Sequence, residues 1–400
     1  MVPPAHIEKK ARSFEPAHRS FRWLLASTFV SAVGRNGYHI TSAWILVAHG
    51  LGTAVVAAFF AIISVTELLT SPFAGWIADR YDRRYLYIAA DVARLVGALT
   101  LAVLLIAEEP RWVLLLSAVL FATSDRIALT TSQSMIPAIG AQLSLPTANS
   151  LFFFLMQSGS LVAAAIAGVL LHLSPPPITF GAIAVAFALS VCFMLAVRGQ
   201  IRPCSHREVQ HEPTMVIDAQ FLQIVAIYAL LYTGGVLVSV IGPSFVFDEL
   251  AGNAIDFGYL ESAWSAGSIA GALLLIPLVR AIRISRLQLG ILSLTVLAFA
   301  TLKILHLPWA LLAFAVLGAL YNLGRVGIEV TLQSIVPGGA LGRAKGALHS
   351  VGVLLGVILF GVIAVISDEI LPSTIFLAFA VILAVGTSIL ILSARSAASR

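Results

Sequence analysis

The stretch GWIADRYDRR, Gly75–Arg84, is a short charged segment between two long apolar runs. The runs on either side cover about residues 52–78 and 86–107, and each reaches the roughly 20 residues that a helix needs to cross a bilayer. Half of the ten residues in the segment are charged. The pattern therefore predicts two membrane-crossing helices joined by a tight polar turn.

The same alternation of apolar runs and short polar turns continues along the chain of 400 residues. Hydrophobic residues make up 59% and charged residues 11% of the sequence, against about 25% charged residues in soluble domains. The remaining apolar runs are about 23–48, 112–135, 146–172, 176–197, 219–247, 257–280, 287–306, 309–336, 342–366 and 370–394. The first run is too long for a cleavable signal peptide. We therefore predict an all-α membrane protein with twelve transmembrane helices.

One longer polar segment divides these runs into six and six. The predicted domains are a cytoplasmic N-terminal segment (1–20), a six-helix bundle (21–197), a cytoplasmic connector (198–218), a second six-helix bundle (219–394) and a cytoplasmic tail (395–400). The pentapeptide QSMIP, Gln133–Pro137, returns 200 residues later as QSIVP, Gln333–Pro337, at the end of the fourth helix of each half. Internal repeats of this kind are typical of secondary transporters.

The basic residues show how the chain is oriented. With the amino terminus in the cytoplasm, the basic residues of the loops and termini fall on the cytoplasmic side, with Arg111 as the one exception in an outside loop. This is the positive-inside rule, and it places both termini in the cytoplasm of a multi-pass protein of the bacterial cytoplasmic (inner) membrane. The net charge of +5 thus reflects membrane orientation, so we predict no nucleic-acid partner. The two cysteines give neither a disulfide framework nor a metal site.

The charged turn resembles the loop signature of the major facilitator superfamily, Gly-x-Leu-Ala-Asp-Arg-x-Gly-Arg-Lys/Arg. The matching residues are Gly75, Ala78, Asp79, Arg80, Arg83 and Arg84. Asp82 replaces the second glycine, as in the drug-exporter-like branch whose loops read Asp-Arg-x-Asp-Arg-Arg. The resemblance implies two pseudo-symmetric six-helix bundles and secondary active transport by alternating access.

The turn itself has a physical reason to act as a gate. Gly75 allows close helix approach, and Asp79 at the helix end can pair with an arginine. We predict a cytoplasmic gating motif made of Gly75, Asp79, Arg80, Arg83 and Arg84. The alternative is a basic loop that faces anionic lipid. The interleaved Asp79 and Asp82 would weaken the attraction of such a loop to lipid.

Ionisable residues within transmembrane helices are costly, by a few kcal/mol or more, so they face a cavity or a partner. Asp91 and Arg94, three apart on one helix, are predicted to form a structural charge pair. Helices 1, 4, 7 and 10 line the cavity in the family that the chain resembles. We predict that the substrate and ion cavity contains Arg35, Tyr38, His39, Glu67, Asp125, Arg126, Tyr232, Tyr321, Asn322, Arg325 and Glu329.

Three of these residues are mid-helix arginines, and they indicate the cargo. A guanidinium in a water-filled path binds an anionic or hydrogen-bond-accepting group. The alternative is that Arg35, Arg126 and Arg325 only neutralise neighbouring acids. Proton coupling needs a group that can change its charge, and Glu67, Asp125 and Glu329 are the candidates, with protons as the coupling ion.

These features predict a transporter that exports a small amphipathic or anionic organic compound, drug-like or siderophore-like, in exchange for protons. The alternative is an importer, or a flippase-type transporter of lysophospholipid or organic anions, because sequence does not encode direction. No metal-ligand or nucleophile spacing indicates an enzyme, and no nucleotide-binding loop indicates a pump. A sensor or accessory subunit would not need polar side chains inside the bundle. We predict no cofactor, the lipid bilayer and a small-molecule substrate as partners, and a monomer as sufficient.

Overall fold

The computed structural model consists of helices joined by short turns, and it describes residues 5–106, 110–140, 143–197, 219–336, 341–367 and 369–398. A π-helical turn, Phe245–Glu249, directly follows the seventh helix. The helices are α1 (Ala5–Ala48), α2 (Gly52–Arg80), α3 (Arg83–Leu104), α4 (Pro110–Ile139), α5 (Leu145–Leu173), α6 (Pro176–Ala196), α7 (Ala219–Ser244), α8 (Ala254–Ala281), α9 (Ile284–Thr301), α10 (Trp309–Ile335), α11 (Leu341–Ile366) and α12 (Pro372–Ala398).

The length and composition of these helices fit a membrane. In the described ranges, eleven helices are long and apolar enough to cross one. The remaining helix, α1, is also long enough, but Arg35, Asn36 and His39 interrupt its apolar part. The predicted all-α, multi-pass membrane fold is confirmed.

Two helices begin or end at residues other than those predicted from the apolar runs. Helix α1 begins at Ala5, well before the predicted start near residue 23, because the polar residues ahead of the apolar run continue the same helix. Helix α9 ends at Thr301 instead of near residue 306. Lys303 lies in the turn that follows, where its Nζ donates to the Thr374 hydroxyl at 2.8 Å. Hydropathy alone does not locate such polar ends.

The turns between helices use conventional capping chemistry. Asp82 caps α3 by accepting a hydrogen bond from the Arg84 backbone N–H at 2.9 Å. The α1–α2 turn is tight because Gly50 and Gly52 adopt positive φ angles of 72° and 73°, which residues with a side chain disfavour. Because Asp82 caps α3, the charged turn between α2 and α3 is also the start of a helix.

The chain divides into two compact units. The first consists of the described residues up to Ser42 and those from Val65 to Val197; the second consists of Ala43–Ser64 and the described residues from Ala219 onward. The tip of the α1–α2 hairpin thus belongs to the second unit. The predicted connector, 198–218, lies outside the described residues, so the domain boundaries drawn from the sequence remain a prediction.

The second unit is organised around a very close pair of parallel helices, α8 and α10. Gly267 and Gly271 on α8 lie directly against the backbone of Ala315 and Ala319 on α10, and an added Cβ would overlap the carbonyl oxygen in both cases. Gly318 approaches α8 in the same way. Small residues permit this approach, which holds the polar residues of α10 in a fixed position.

Candidate functional site

The first unit contains a buried ion cluster formed by Asp91 and Arg94 of α3 and Asp125 of α4. The exposed fractions of these residues are 0%, 2% and 5%. One Arg94 nitrogen, Nη2, donates to Asp91, and the other, Nη1, donates to Asp125. The guanidinium also lies 4.7 Å from the centre of the Phe187 ring. Asp91 and Arg94 are thus in contact as the sequence suggested, and Asp125 joins them.

Serine hydroxyls from two further helices complete the cluster. Ser31 of α1 donates to Asp91 at 3.2 Å, and Ser190 of α6 donates to the other Asp91 oxygen at 2.6 Å. Ser190 is also 2.8 Å from Ser27 of α1. Hydrogen bonds of this number compensate the cost of burying the carboxylate. The cluster therefore connects α1, α3, α4 and α6.

A cavity of about 30 Å³ lies beside the buried ion cluster. It is lined in part by Arg35, Arg94, Asp125 and Thr28. Three polar atoms of these residues, Thr28 Oγ1, Arg94 Nε and Asp125 Oδ2, have no hydrogen-bond partner within the described ranges. Because one water needs about 10–15 Å³, the cavity suits two or three waters and is too small for an organic substrate.

Arg35, Arg126 and Glu67 form a second charged group in the first unit. Glu67 lies close enough to both arginines for electrostatic interaction. Within the part of the chain that the structure describes, no side-chain hydrogen bond or ion pair involves any of the three. The Nε atom of Arg126 is buried. Both guanidinium groups therefore keep donors for another ligand.

Tyr38 and His39 of α1 occupy different surroundings. Tyr38 is fully buried, stacks on Phe121 with ring centroids 3.7 Å apart, and lies 2.8 Å from the Ser117 hydroxyl. His39 Nε2 is 3.9 Å from Asp125 Oδ2. The structure thus places His39 at the edge of the buried ion cluster and Tyr38 in the packed interior of the unit.

In the second unit, tyrosines gather near Arg325 of α10. Tyr228 and Tyr232 of α7 stack with ring centroids 5.6 Å apart. Tyr321 of α10 packs on Gly235 of α7, where an added Cβ would lie 2.6 Å from the ring. Tyr228 is within electrostatic reach of both Tyr321 and Arg325. Aromatic surface and a cation thus occur together in this unit.

Two other predicted cavity residues of α10 make helix-to-helix contacts. Glu329 forms an ion pair with Lys345 of α11. Asn322 donates from Nδ2 to the backbone oxygen of Ser268 on α8 at 2.7 Å. Both contacts hold neighbouring helices to α10, and the sequence did not indicate either partner.

The residues of the predicted gating motif bind the ends of neighbouring helices in the first unit. Arg83 donates to the Ser134 backbone oxygen at 2.9 Å, within the repeated QSMIP segment of α4. Arg84 donates to the backbone oxygens of Met194 and Leu195 at the end of α6, at 3.2 and 2.7 Å. Of these acceptors, Leu195 is among the last four residues of α6, whose carbonyl groups have no partner within the helix.

The other motif residues remain at the surface of the first unit. The Asp79 side chain is 77% exposed and lies 3.9 Å from Arg83. The Arg80 guanidinium lies 4.1 Å from the centre of the Trp76 ring. An added Cβ at Gly75 would meet no atom within 4 Å in the described structure. Asp79 is therefore accessible to a further partner.

The sequence analysis missed one charged residue, Glu261 of α8. It lies within the predicted run 257–280 but was not counted among the intramembrane charges. A complete count of acids within the apolar runs would have found it.

In the described ranges, no group of three or more His, Cys, Asp or Glu side chains could hold a metal ion.

Comparison with known proteins identifies the family. The model of the Major Facilitator Superfamily matches residues 24–359. The chain belongs to this superfamily. It is therefore a membrane transporter and not an enzyme, as the resemblance of the Gly75–Arg84 loop implied.

A curated relative and several solved structures are similar to this major facilitator chain. It is 27% identical over 220 residues to the "Staphyloferrin A transporter" of Staphylococcus aureus (strain NCTC 8325 / PS 47), a match that covers 53% of this chain and 55% of the relative. The chain thus matches about half the length of that relative.

Among solved structures, it is similar to the nucleoside transporter NupG (TM-score 0.73, 15% identity, 93% of this chain and 98% of that one). It is also similar to a bacterial homologue of the iron transporter ferroportin in the inward-facing state (TM-score 0.73, 18% identity, 93% and 98%). The POT family transporter PepTSo is a third (TM-score 0.73, 14% identity, 95% and 98%). At these identities the likeness concerns the fold alone.

Proposed function

We propose that this chain is a proton-coupled secondary transporter that exports a small anionic or amphipathic organic compound, such as a siderophore-like carboxylate, by alternating access. It acts as a monomer in the bacterial cytoplasmic membrane, with both termini in the cytoplasm. Export is the first candidate because the Asp-Arg-x-Asp-Arg-Arg loop resembles that of the drug-exporter-like branch.

The observation that carries this proposal is the distribution of charge in the first unit. The buried ion cluster holds two carboxylates for one guanidinium, and both terminal nitrogens of Arg94 donate to them. Arg35 and Arg126 then have only Glu67 as a nearby remaining acid, which gives two positive charges against one negative charge. Two guanidinium groups with spare donors suit a carboxylate or phosphate group.

The second unit combines a cation with aromatic surface, which suits an amphipathic cargo. Arg325 supplies a cation, and Tyr228 and Tyr321 supply aromatic surface beside it. Glu329, one turn further along α10, forms an ion pair with Lys345 of α11. The curated relative supports the cargo class, because it is named as a transporter of the siderophore staphyloferrin A.

Import is a second candidate, and the position of Glu67 favours it. An anion bound to Arg35 and Arg126 favours the protonated form of Glu67, and the proton favours the anion in return. A proton and a cargo that promote each other's binding travel in the same direction. Export by exchange requires instead that the two displace each other.

The α2–α3 loop is proposed as the conformational latch of the cycle. Arg83 and Arg84 donate hydrogen bonds to backbone oxygens near the ends of α4 and α6. The exposed Asp79 is accessible for a contact that forms in only one conformation of the transport cycle. In this proposal the loop faces the cytoplasm, as the positive-inside rule predicts.

The test is flux in proteoliposomes that contain the purified full chain. A panel of anionic, zwitterionic and cationic compounds is offered under no gradient, an acidic exterior and an acidic lumen. Uptake of anions driven by an acidic lumen supports exchange and export, and uptake driven by an acidic exterior supports symport and import. Preference for cations, or flux that ignores the gradient, contradicts the proposal.

A further inference from the structure

Glu261 lies in a part of the second unit that the proposed cargo site does not use. It is the eighth residue of α8 and is half-buried. An added Cβ on Gly242 of α7 would lie 4.0 Å from Glu261 Oε1 and 3.8 Å from the ring of Phe257. The carboxyl group therefore approaches the α7 backbone where no side chain separates the two helices.

This position is also where the tip of the α1–α2 hairpin packs in the second unit. The Trp44 ring stacks on Phe257, one turn before Glu261, with centroids 5.4 Å apart. Thr53 of α2 donates to the Ser244 hydroxyl of α7 at 2.6 Å, two residues beyond Gly242. The hairpin tip, α7 and α8 therefore meet beside Glu261.

The surrounding elements bring no cation to this carboxyl group. Helix α7 contains no charged residue. The hairpin tip, Ala43–Ser64, contains only His49, whose Nδ1 lies 2.9 Å from the Ile45 carbonyl oxygen. The π-helical turn adds two acids, Asp248 and Glu249. Within the described ranges, Glu261 has neither a hydrogen bond nor an ion pair.

The arginines of the packed helices lie far along the helix axes. Lys303 and His306 lie in the turn before α10, and Lys303 Nζ donates to the Ser373 and Thr374 hydroxyls at 3.1 and 2.8 Å. Because Gly267 lies against Ala315, the level of Glu261 on the parallel α10 is near Trp309. Arg325 follows about sixteen residues later, roughly 24 Å at 1.5 Å per residue. The other titratable side chains of the elements packed on α8 lie at mid-helix or toward the opposite end: Tyr228, Tyr232, Arg280, Arg286, Tyr321 and Glu329.

Two neighbours on α8 itself have other roles. Asp256 belongs to the capping box at the helix start, where it accepts a hydrogen bond from the Asn253 backbone N–H at 2.8 Å. Tyr259 is exposed. A carboxylate buried without a counter-ion is unfavourable, whereas a neutral carboxylic acid in the same place costs far less.

We propose that Glu261 is a proton-binding site of the transport cycle. The carboxylate takes a proton from water and becomes a neutral acid while the hairpin tip is packed against α7 and α8. When that contact opens and water reaches the carboxyl group, it returns the proton to water. The coupling of this proton to cargo movement rests on the proposed function, whereas proton binding at Glu261 does not.

The test compares wild type, Glu261→Gln and the control Asp256→Asn as purified full chains. Glutamine keeps the shape of the protonated acid, so we expect Glu261→Gln to fold and to exchange cargo at equal pH. Gradient-driven flux should fall at least about tenfold in this variant and stay within about twofold of wild type in Asp256→Asn. Unchanged gradient stimulation in Glu261→Gln overturns the proposal.

An infrared titration tests the proton site separately from the proposed function. The spectrum of the wild type should contain a buried protonated carboxyl band that disappears at alkaline pH and is missing from Glu261→Gln. The same band in Glu261→Gln overturns the proton site. A wild type with this band but without gradient-driven flux contradicts proton-coupled transport and leaves the proton site supported.

Discussion

Arg94 of α3 donates a hydrogen bond to Asp125 of α4 in the interior of the first unit, although 31 residues separate them in the sequence. The same guanidinium binds Asp91 one turn earlier on α3. This arrangement assigns one cation to two acids. Two further arginines within the membrane-spanning helices of this unit, Arg35 and Arg126, keep spare hydrogen-bond donors, which is why we expect an anionic cargo.

The first prediction concerns the stability of the buried ion cluster. Arg94→Leu should destabilise the protein by about 3–5 kcal/mol, because it leaves two buried carboxyl groups without their cation. Thermal unfolding in detergent measures the effect. Arg111→Leu is the matched control, since Arg111 is exposed and lies over the Trp112 ring. Equal unfolding temperatures for the two variants would show that the cluster does not stabilise the fold.

The second prediction concerns the close approach of α8 and α10. Gly267→Ala should cost about 1–3 kcal/mol, because the added methyl group overlaps the Ala315 carbonyl oxygen and the helices must separate. Gly290→Ala is the control, since a Cβ there would meet no atom within 4 Å in the described structure. Unfolding temperature and the yield of monodisperse protein are the measurements. A stable Gly267→Ala variant would contradict the backbone contact.

The sequence predicted the number and type of the helices because the membrane imposes a simple rule of length and apolarity on each of them. It did not predict which charges meet. Asp125 binds Arg94 and not the adjacent Arg126, and Glu329 binds Lys345 of α11. Such pairs depend on the rotation and register of packed helices, which local pattern does not specify. Glu261, in contrast, could have been found by counting acids within the apolar runs.

The third prediction concerns the proposed latch. Asp79→Asn should lower the transport rate about tenfold or more while the affinity for cargo stays within about twofold, because the residue lies in the α2–α3 loop, outside the proposed cargo site. Initial rates and equilibrium binding are measured on the same preparation. A wild-type transport rate in this variant would remove Asp79 from the gating motif.

The fourth prediction concerns Arg325. Arg325→Gln should weaken binding of an anionic compound about tenfold, which corresponds to roughly 1.4 kcal/mol, and should leave a neutral analogue of the same compound unaffected. Isothermal titration with both compounds gives the comparison. Equal losses for the two analogues would mean that Arg325 supports the structure of α10 and does not bind the anionic group.

The central claim is that Arg35 and Arg126 bind an anionic cargo whose movement is coupled to protons. The most direct measurement is the flux of a carboxylate compound into proteoliposomes under a pH gradient, for wild type, the Arg35→Gln/Arg126→Gln double variant and the control Arg111→Gln. We predict gradient-driven flux in wild type and control, and a loss of at least about tenfold in the double variant. Gradient-driven carboxylate flux that survives in the double variant would contradict the claim.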